Sequence, residues 1–300
     1  MSRFILKNDN FFSDAKKLRA SFEEKFADPK AASSNRFVWD YWHVPGQYTQ
    51  LRTPAYHYFP QATYKKLEQQ LLHWGRRTLG CDGITPPWLS CYIDGCEQEI
   101  HSDVPHGPWA FVFSLTKWRQ RKFKGGETFL LKPSVLDYWS NFVESEDRER
   151  DGFLDFVAPE FNRLTVFDPR FPHGVRRVSG VQDPMQGRLV IHGWFTEPKP
   201  FLEGALTAKQ AAPILDEAVE KFAAELLRFG NWHGTLSLRL QVSAAGKLTG
   251  LSSLANTLLP LQADQGAVAK IQRSLKTAFH SIHFPRAKGK TEITLPLLFR

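Results

Sequence analysis

Three side chains in this sequence have the donor types and the spacing of a metal centre: His101 and Asp103, separated by Ser102, and His173, which follows Pro172. Alternate residues of an extended strand face the same side, so His101-x-Asp103 presents an imidazole and a carboxylate together. A third donor must come from a distant strand, and His173 comes soon after the apolar run that ends at Phe167-Asp168-Pro169. Two imidazoles and one carboxylate on one face of a metal leave its other positions open, the arrangement of non-haem iron(II) that activates oxygen. A zinc hydrolase more often carries His-Glu-x-x-His on a helix, which this chain lacks, although a metal-dependent hydrolase stays open as an alternative. Arg188 begins an apolar stretch in which Val190, His192 and Trp194 share its face. An arginine turned inward is costly unless paired, and its planar fork suits a carboxylate. A dicarboxylic oxo-acid could therefore chelate the metal at one end and meet Arg188 at the other.

The elements that must position these residues are strands braced by helices. Residues 11–27 read as an amphipathic helix, with Phe12, Leu18, Phe22 and Phe26 near helical spacing and Asp28-Pro29 as its stop. A second helix spans Ala62 to Leu79, with Tyr64, Leu67, Leu71 and Trp74 on one face and Gly80 ending it. Residues 36–60, dense in Trp, Tyr and Pro, read as packed loops and short strands. From Trp88 the pattern changes to strands: 88–93, 109–116, 127–131, 163–167, 174–178 and 188–195, with Asp94-Gly95 and Gly125-Gly126 as turns. Glu144 to Asp151, with five acidic and two basic side chains, reads as a solvent-exposed loop. Pro198 and Pro200 mark a boundary, and Thr207 is an N-cap for a helix running to about Leu227. The remainder reads strand, strand, helix, strand. The expectation is a mostly β chain with bracing helices in three parts: residues 1–200, a linker helix over 201–229, and a small ββαβ module over 230–300.

Tyr92-x-x-Gly95, His101-x-Asp103, Ser114-Leu115-Thr116, Gly125-Gly126-Glu127-Thr128, Val166-Phe167, His173-x-Val175 and Arg188 leading to Trp194-Phe195 follow one another in order. This ordered set resembles the iron(II)/2-oxoglutarate-dependent oxygenases, and among them the prolyl-4-hydroxylase-like branch. The resemblance covers about residues 88–196. It implies a double-stranded β-helix, or jelly-roll, with His101, Asp103 and His173 as iron ligands. It also implies Arg188 as the partner of the distal 2-oxoglutarate carboxylate and Tyr92 as a further cosubstrate contact. The activity it implies is hydroxylation of a C–H bond of a peptide, a protein side chain or an amino-acid-like substrate. That activity consumes O2 and releases succinate and carbon dioxide, with ascorbate a candidate reductant. A carboxylate ligand at Asp103 leaves no vacancy for halide, which favours hydroxylation over halogenation. The gap from His173 to Arg188 is long for the branch and implies a loop inserted around Gly180–Gly187, with Arg176 or Arg177 as the alternative anchor. The C-terminal stretch from Gly234-Thr235-Leu236-Ser237-Leu238-Arg239 through Gly246 and Gly250 to Phe284-Pro285 more distantly resembles the TonB C-terminal domain. That second resemblance implies the ββαβ shape and no transport role.

Composition sets the frame around this reading. Of 300 residues, 42% are hydrophobic and 13% aromatic, enough for a substantial core. No apolar run approaches the roughly 18 residues that span a bilayer, and Met1 to Asp9 has too short an apolar core for a secretory signal. The expectation is a cytoplasmic protein with no membrane partner. Cys81, Cys91 and Cys96, odd in number, read as reduced thiols near a core. From Gly230 onward nine Lys/Arg face two acidic residues, so most of the chain's formal charge of +8 sits in that segment. Such a surface could attract an acidic partner; nucleic acid is disfavoured, because no stacked-aromatic signature accompanies the basic residues. A binding or adaptor protein, with this module as its working surface, is the alternative function. Within the first part, His106 is either a pocket-mouth or a loop residue, His192 either a pocket or a core histidine, and Trp194, Phe111 and Phe113 read as core.

Overall fold

Strand alternation sends neighbouring side chains to opposite faces, and in this chain the two faces have different work. The computed structural model describes residues 4–28, 30, 38–103, 106–135, 152–261 and 266–299. The acidic loop Glu144–Asp151 lies outside the described residues. Twelve strands form one antiparallel sheet: β1 (Ile5–Asn8), β2 (Asp40–Val44), β3 (Tyr48–Pro54), β4 (Cys81–Ile84), β5 (Trp88–Tyr92), β6 (Glu97–His101), β7 (Trp109–Ser114), β8 (Thr128–Leu131), β9 (Leu154–Val157), β10 (Leu164–Phe167), β11 (His173–Val175) and β12 (Arg188–Pro198). Their order is β1-β10-β7-β12-β5-β3-β6-β11-β8-β9, with β2 on β3 and β4 on β12. The sheet curls over on itself as a jelly-roll.

One face of the curl is packed by helices. Leu189, Ile191 and Phe195 of β12 and Trp109, Phe111 and Phe113 of β7 are buried with Leu18 and Phe22 of the helix Ala15–Ala27 and Tyr64, Leu67 and Leu71 of the helix Gln61–Thr78. The alternate residues Arg188, Val190, His192 and Trp194 of β12, with Ala110 and Val112 of β7, turn to the other side and line a cavity. The first helix begins at Ala15 rather than at residue 11. Phe11 and Phe12 instead pack on Phe113, with ring centroids 5.8 and 6.4 Å away, and the Asn162 side chain pairs with the backbone N–H and C=O of Phe12. Cys81, Cys91 and Cys96 are free and buried; burial pushes the Cys81 and Cys91 thiols up to about 12, so both stay protonated.

The C-terminal part departs from the expected boundary. Strands β13 (Phe201–Gly204), β14 (Trp232–Val242), β15 (Leu248–Asn256), β16 (Leu259–Pro260) and β17 (Thr291–Phe299) form a second sheet in the order β13-β17-β14-β15, with β16 on β14. Residues 201–229 are not a linker: β13 pairs with β17, and Ala211, Leu215, Ala218, Phe222 and Leu226 of the helix Ala208–Leu227 share one core with Ile271 and Phe279 of the helix Ala267–Phe279. The apolar period of that helix extends a core that a linker would leave exposed. Its N-cap is Thr207, in a capping box with Gln210.

The two sheets meet through small polar groups. Along β14, Leu236, Leu238 and Leu240 enter the C-terminal core, while Thr235 and Ser237, both buried, alternate with them. The Ser237 hydroxyl donates to the Leu79 carbonyl at 2.9 Å and the Thr294 hydroxyl to the Arg77 carbonyl at 3.0 Å, so both reach the C-terminal end of the helix Gln61–Thr78. Gly80, at φ +72°, continues this contact: a Cβ there would lie 2.6 Å from Cδ of Pro296. No helix among the described residues is long and apolar enough to cross a membrane.

Gly80→Ala tests the tightness of this junction. It combines a left-handed backbone position with a clash against Pro296, and should lower unfolding stability by about 2 kcal/mol or more in denaturant titrations. Wild-type stability would show that the junction is loose.

Candidate metal centre

Strand register builds the metal centre. β11 pairs with β6 so that His173 lies opposite His101, and their ring centroids are 4.3 Å apart. Asp103, just past the end of β6, reaches both: its two carboxylate oxygens lie 3.4 Å from His101 Nε2 and 3.3 Å from His173 Nε2. One ligand atom from each of the three residues falls within 4.8 Å of the others, the spread of donors around a single ion. Each imidazole has its far nitrogen engaged: His101 Nδ1 is 2.8 Å from the Glu99 carbonyl, and His173 Nδ1 is 2.9 Å from the Phe171 carbonyl. A carbonyl can only accept, so Nδ1 carries a proton and Nε2 is the nitrogen turned to the cluster, the orientation that metal-ligating histidines have. Gln98 lies 3.1 Å from His101 Nε2 and fills part of that space.

The loop carrying His173 is pinned from outside the barrel. The Pro169 carbonyl accepts the Asp103 N–H at 3.0 Å, the Arg170 carbonyl accepts the Ser102 hydroxyl at 3.2 Å, and the Phe171 carbonyl faces His173. These three carbonyls are set in turn by a buried ion pair between Asp168 and Arg170. The Thr257 hydroxyl donates to Asp168 at 2.7 Å, while Arg170 donates to the Thr235 hydroxyl at 2.7 Å and to the Phe299 carbonyl at 3.1 Å. All three partners belong to the C-terminal part, which thus buttresses the metal loop.

The cavity beside the cluster holds about 400 Å3. Arg188 is fully buried in its wall; one guanidinium nitrogen donates to the Thr128 hydroxyl at 3.1 Å, and the group stacks 4.6 Å from the Tyr92 ring centroid. Its Nε and Nη1 have no hydrogen-bond partner among the described residues. Two unanswered donors on a buried cation are costly, and a carboxylate is the group that answers both. The donor set at the metal cluster likewise suits iron(II). Tyr92 itself donates to Gln50 Oε1 at 2.9 Å. The Gly125-Gly126 turn explains how this wall closes: both glycines have positive φ, the Gly126 N–H bonds the Arg176 carbonyl at 3.0 Å, and a Cβ on Gly125 would collide with the Arg177 backbone. Arg176 and Arg177 are half exposed, pair with Glu127 and Glu97, and do not line the cavity. The loop around Gly180–Gly187 folds back on the β5–β6 turn, where Asp94 accepts the Gly180 N–H at 2.7 Å.

His106 and His192 both line the cavity, and so does Trp194, which stacks on His106 at 4.4 Å and packs at the edge of the small cluster of Ala110, Leu130, Val157 and Phe167. Trp194 shares β12's inner face with Arg188, and period-two alternation takes it there. Phe111 and Phe113 are core, as expected. Sequence reasoning missed Gln50 and Arg52 of β3 and Thr128 of β8, which also line the cavity. The alternation Tyr48, Gln50, Arg52 was the available signal.

The same cavity drives its titrating groups apart. Burial would raise the Asp103 carboxyl, but hydrogen bonds from His101 and His173 outweigh it and hold the group well below the usual carboxylate range. Burial would lower His101, but Asp103 and the Glu99 carbonyl outweigh it and raise the imidazole. Burial, reinforced by Arg188, lowers His192 to about 4, so that ring stays neutral, with Nε2 2.8 Å from the Ser90 hydroxyl.

No family model matches this sequence, and no curated protein matches it either. Solved structures do. A prolyl-4-hydroxylase from Pseudomonas putida is 16% identical, with 65% of this chain and 94% of that one covered and a TM-score of 0.43. The α-ketoglutarate-dependent non-haem epimerase SnoN of nogalamycin biosynthesis is 14% identical, covers 63% and 77%, and scores 0.40. A viral collagen prolyl hydroxylase from Paramecium Bursaria Chlorella virus-1, in complex with 2-oxoglutarate, is 14% identical, covers 64% and 95%, and scores 0.39. At these scores the likeness decides nothing about substrate or reaction.

Two outcomes follow from the site's construction. Arg170→Met strands the buried Asp168 carboxylate and should cost about 3–5 kcal/mol in unfolding, with Thr257→Val costing about 1 kcal/mol; metal affinity, measured by titration, should fall in both. Equal metal affinity in a folded Thr257→Val protein would disconnect the C-terminal part from the metal loop. For pH, the raised His101 stabilises the metal-free fold below its unfolded value of about 6.5, and that share is lost as pH rises through its folded value. The depressed Asp103 contributes above the carboxylate range and is lost only in strong acid. Metal must displace the His101 proton, so metal affinity should rise with pH through neutrality while metal-free thermal stability declines.

Proposed function

We propose that this protein is a non-haem iron(II) dioxygenase that uses 2-oxoglutarate and O2 to hydroxylate a C–H bond of a peptide, protein side chain or amino-acid-like substrate. One observation carries the reading. A His–Asp–His cluster and a fully buried arginine with two unanswered guanidinium nitrogens share one cavity. Hydrolysis at the metal does not itself call for the second feature, whereas a dicarboxylic oxo-acid uses both.

When bound, iron(II) supplies the oxygen activation that couples oxidative decarboxylation of 2-oxoglutarate, to succinate and carbon dioxide, to transfer of one oxygen atom into the C–H bond. His101, Asp103 and His173 would hold the ion, with the carbonyls of Glu99 and Phe171 fixing the tautomer each imidazole needs. Arg188 would take the distal carboxylate of the cosubstrate. Thr128 and the Tyr92 ring keep its guanidinium in place before any ligand arrives, so less ordering is left for the binding step. Tyr92 supports this site through its ring face, while its hydroxyl donates to Gln50 and keeps its oxygen free to accept. Ala110, Val112 and Val190 give the cavity an apolar wall that limits water near the metal. Neutral His192 adds a polar group without adding charge. The Asp103 carboxylate occupies the ligand position that a halogenating site leaves free, which favours hydroxylation.

Under anaerobic conditions, iron(II) and 2-oxoglutarate added together should produce a weak visible charge-transfer band that is absent in His101→Ala. Removing the charge from Arg188, as in Arg188→Met, should weaken 2-oxoglutarate binding by about 30-fold or more, since losing one partner of a buried charge pair costs about 2–5 kcal/mol. With ascorbate as reductant, succinate release in air should depend on oxygen. Turnover with zinc and without oxygen would instead assign a hydrolase.

A further inference from the structure

Arg52 is a second cation on the cavity wall, and the chemistry above leaves it unused. It projects from β3 into the cavity that holds the metal cluster. Its guanidinium carbon lies 3.1 Å from the Trp42 ring centroid and 4.1 Å from that of Trp88, a clamp of two indole faces. Its Nε is enclosed and has no hydrogen-bond partner among the described residues. Asp40 stands opposite it in the β2–β3 ladder but is exposed, and no ion pair joins the two.

Register keeps Arg52 apart from Arg188. In the neighbouring strands β12, β5 and β3, Arg188 is opposite Tyr92, whereas Arg52 is opposite Ser90, which is itself opposite Val190. Two strand spacings and a two-residue offset place the two Cα atoms on the order of 12 Å apart. Their clamps differ as well. Arg188 is held at Tyr92 and Thr128, while Arg52 is held at Trp42 and Trp88, and Trp88 lies farther along β5, away from Tyr92. Charge bookkeeping separates their roles. A divalent metal, Asp103, Arg188 and the dianion of 2-oxoglutarate cancel among themselves, and Arg52 is left as an uncompensated cation. His192 is neutral, and the other acid lining the cavity, Glu99, is exposed at its mouth.

We infer that Arg52, flattened between Trp42 and Trp88, binds a carboxylate of the primary substrate. The site then takes a carboxylate-bearing group of amino-acid size. Size agrees: about 400 Å3 is near the lower end of small-molecule sites, and the cosubstrate must share it. Trp42 is 36% exposed and Tyr41 beside it 66%, so the clamp stands at the rim, where an arriving molecule meets it. The carboxylate can belong to a free amino acid or to the end of a peptide, and the two sources share this recognition chemistry. The inference rests on the oxygenase reading of the same cavity.

The test uses the full chain loaded with iron(II) and 2-oxoglutarate under anaerobic conditions. Matched probes are added: free amino acids with their carboxamides, and short peptides with free or amidated C-termini. Perturbation of the visible band and, in air, the KM for succinate release are recorded. Acids should act at about ten-fold lower concentration than their amides or better, and the two probe families tell the free from the peptide source. In Arg52→Gln this preference should collapse to within about two-fold. Arg52→Lys keeps the charge but loses the planar fork, and should reduce the preference about three-fold. If Arg52→Gln does not fold, Arg52→Lys alone decides. Equal action of acids and amides on the wild type, a preference that survives unchanged in the folded variant, or a band that no carboxylate perturbs each overturns the inference. A wild-type protein that forms no band at all overturns the oxygenase reading instead, which keeps the two failures distinct.

Discussion

The buried carboxylate of Asp168 constrains the rest of this molecule. A charge taken out of water is tolerated only when paired and hydrogen-bonded. Here the pairing is local, to Arg170 two residues on, and the remaining bonds come from Thr257, Thr235 and the Phe299 carbonyl in the C-terminal sheet. Neither part can leave without stranding the ion pair in the other's footprint. Between Asp168 and His173 the backbone has little freedom left, and each of the three carbonyls from Pro169 to Phe171 is turned to a group of the metal loop. The ion pair therefore does less as a source of stability than as a device that fixes where two imidazoles and a carboxylate meet.

This changes what the C-terminal part is for. Its sheet meets the barrel through short hydroxyl side chains, Thr235, Ser237, Thr257 and Thr294, which can bond backbone carbonyls or an ion pair without holding the two surfaces apart. A hydrophobic interface of the same area would resist sliding poorly, because apolar contact is non-directional. Hydrogen bonds to defined carbonyls of Arg77 and Leu79, and Gly80 packed against Pro296, set one register. A module expected as a basic appendage is, in structural terms, a support for the loop that carries His173.

The His101, Asp103 and His173 cluster was legible because His101-x-Asp103 needs only strand alternation to be understood, and the buried Arg188 because an arginine heading an apolar strand demands a partner. The jelly-roll followed from the succession of short strands and turns. Less could be read where meaning depends on two distant segments. Nothing in Thr235, Thr257 or Phe299 marks them as partners of the Asp168–Arg170 pair, and Thr and Phe have bland uses by default. Segment 201–229 looked like a connector because its helix was visible while the partner of its strand, β17, lies about ninety residues away. Arg52 went unnoticed for a related reason: its stretch is crowded with aromatic residues, and the clamp forms only when β2 and β5 flank β3. Trp194 was placed in the core because tryptophan usually belongs there, although the strand period put it beside Arg188.

The cavity's electrostatics join these observations. His101 and His192 sit in the same pocket and are driven in opposite directions, one up by the Asp103 carboxylate and one down by burial and the arginines. The division follows the sheet. The wall at β6 and β11 carries the acid, while the wall built from β12, β5 and β3 carries two guanidinium groups, so the cavity is polarised from one side to the other. A molecule with a metal-chelating end and an anionic end is matched to this polarity whatever its reacting carbon. Arg188 Nε and Nη1 and Arg52 Nε are buried and have no hydrogen-bond partner among the described residues. An arriving carboxylate answers such donors with charge as well as hydrogen bonds, which water does not.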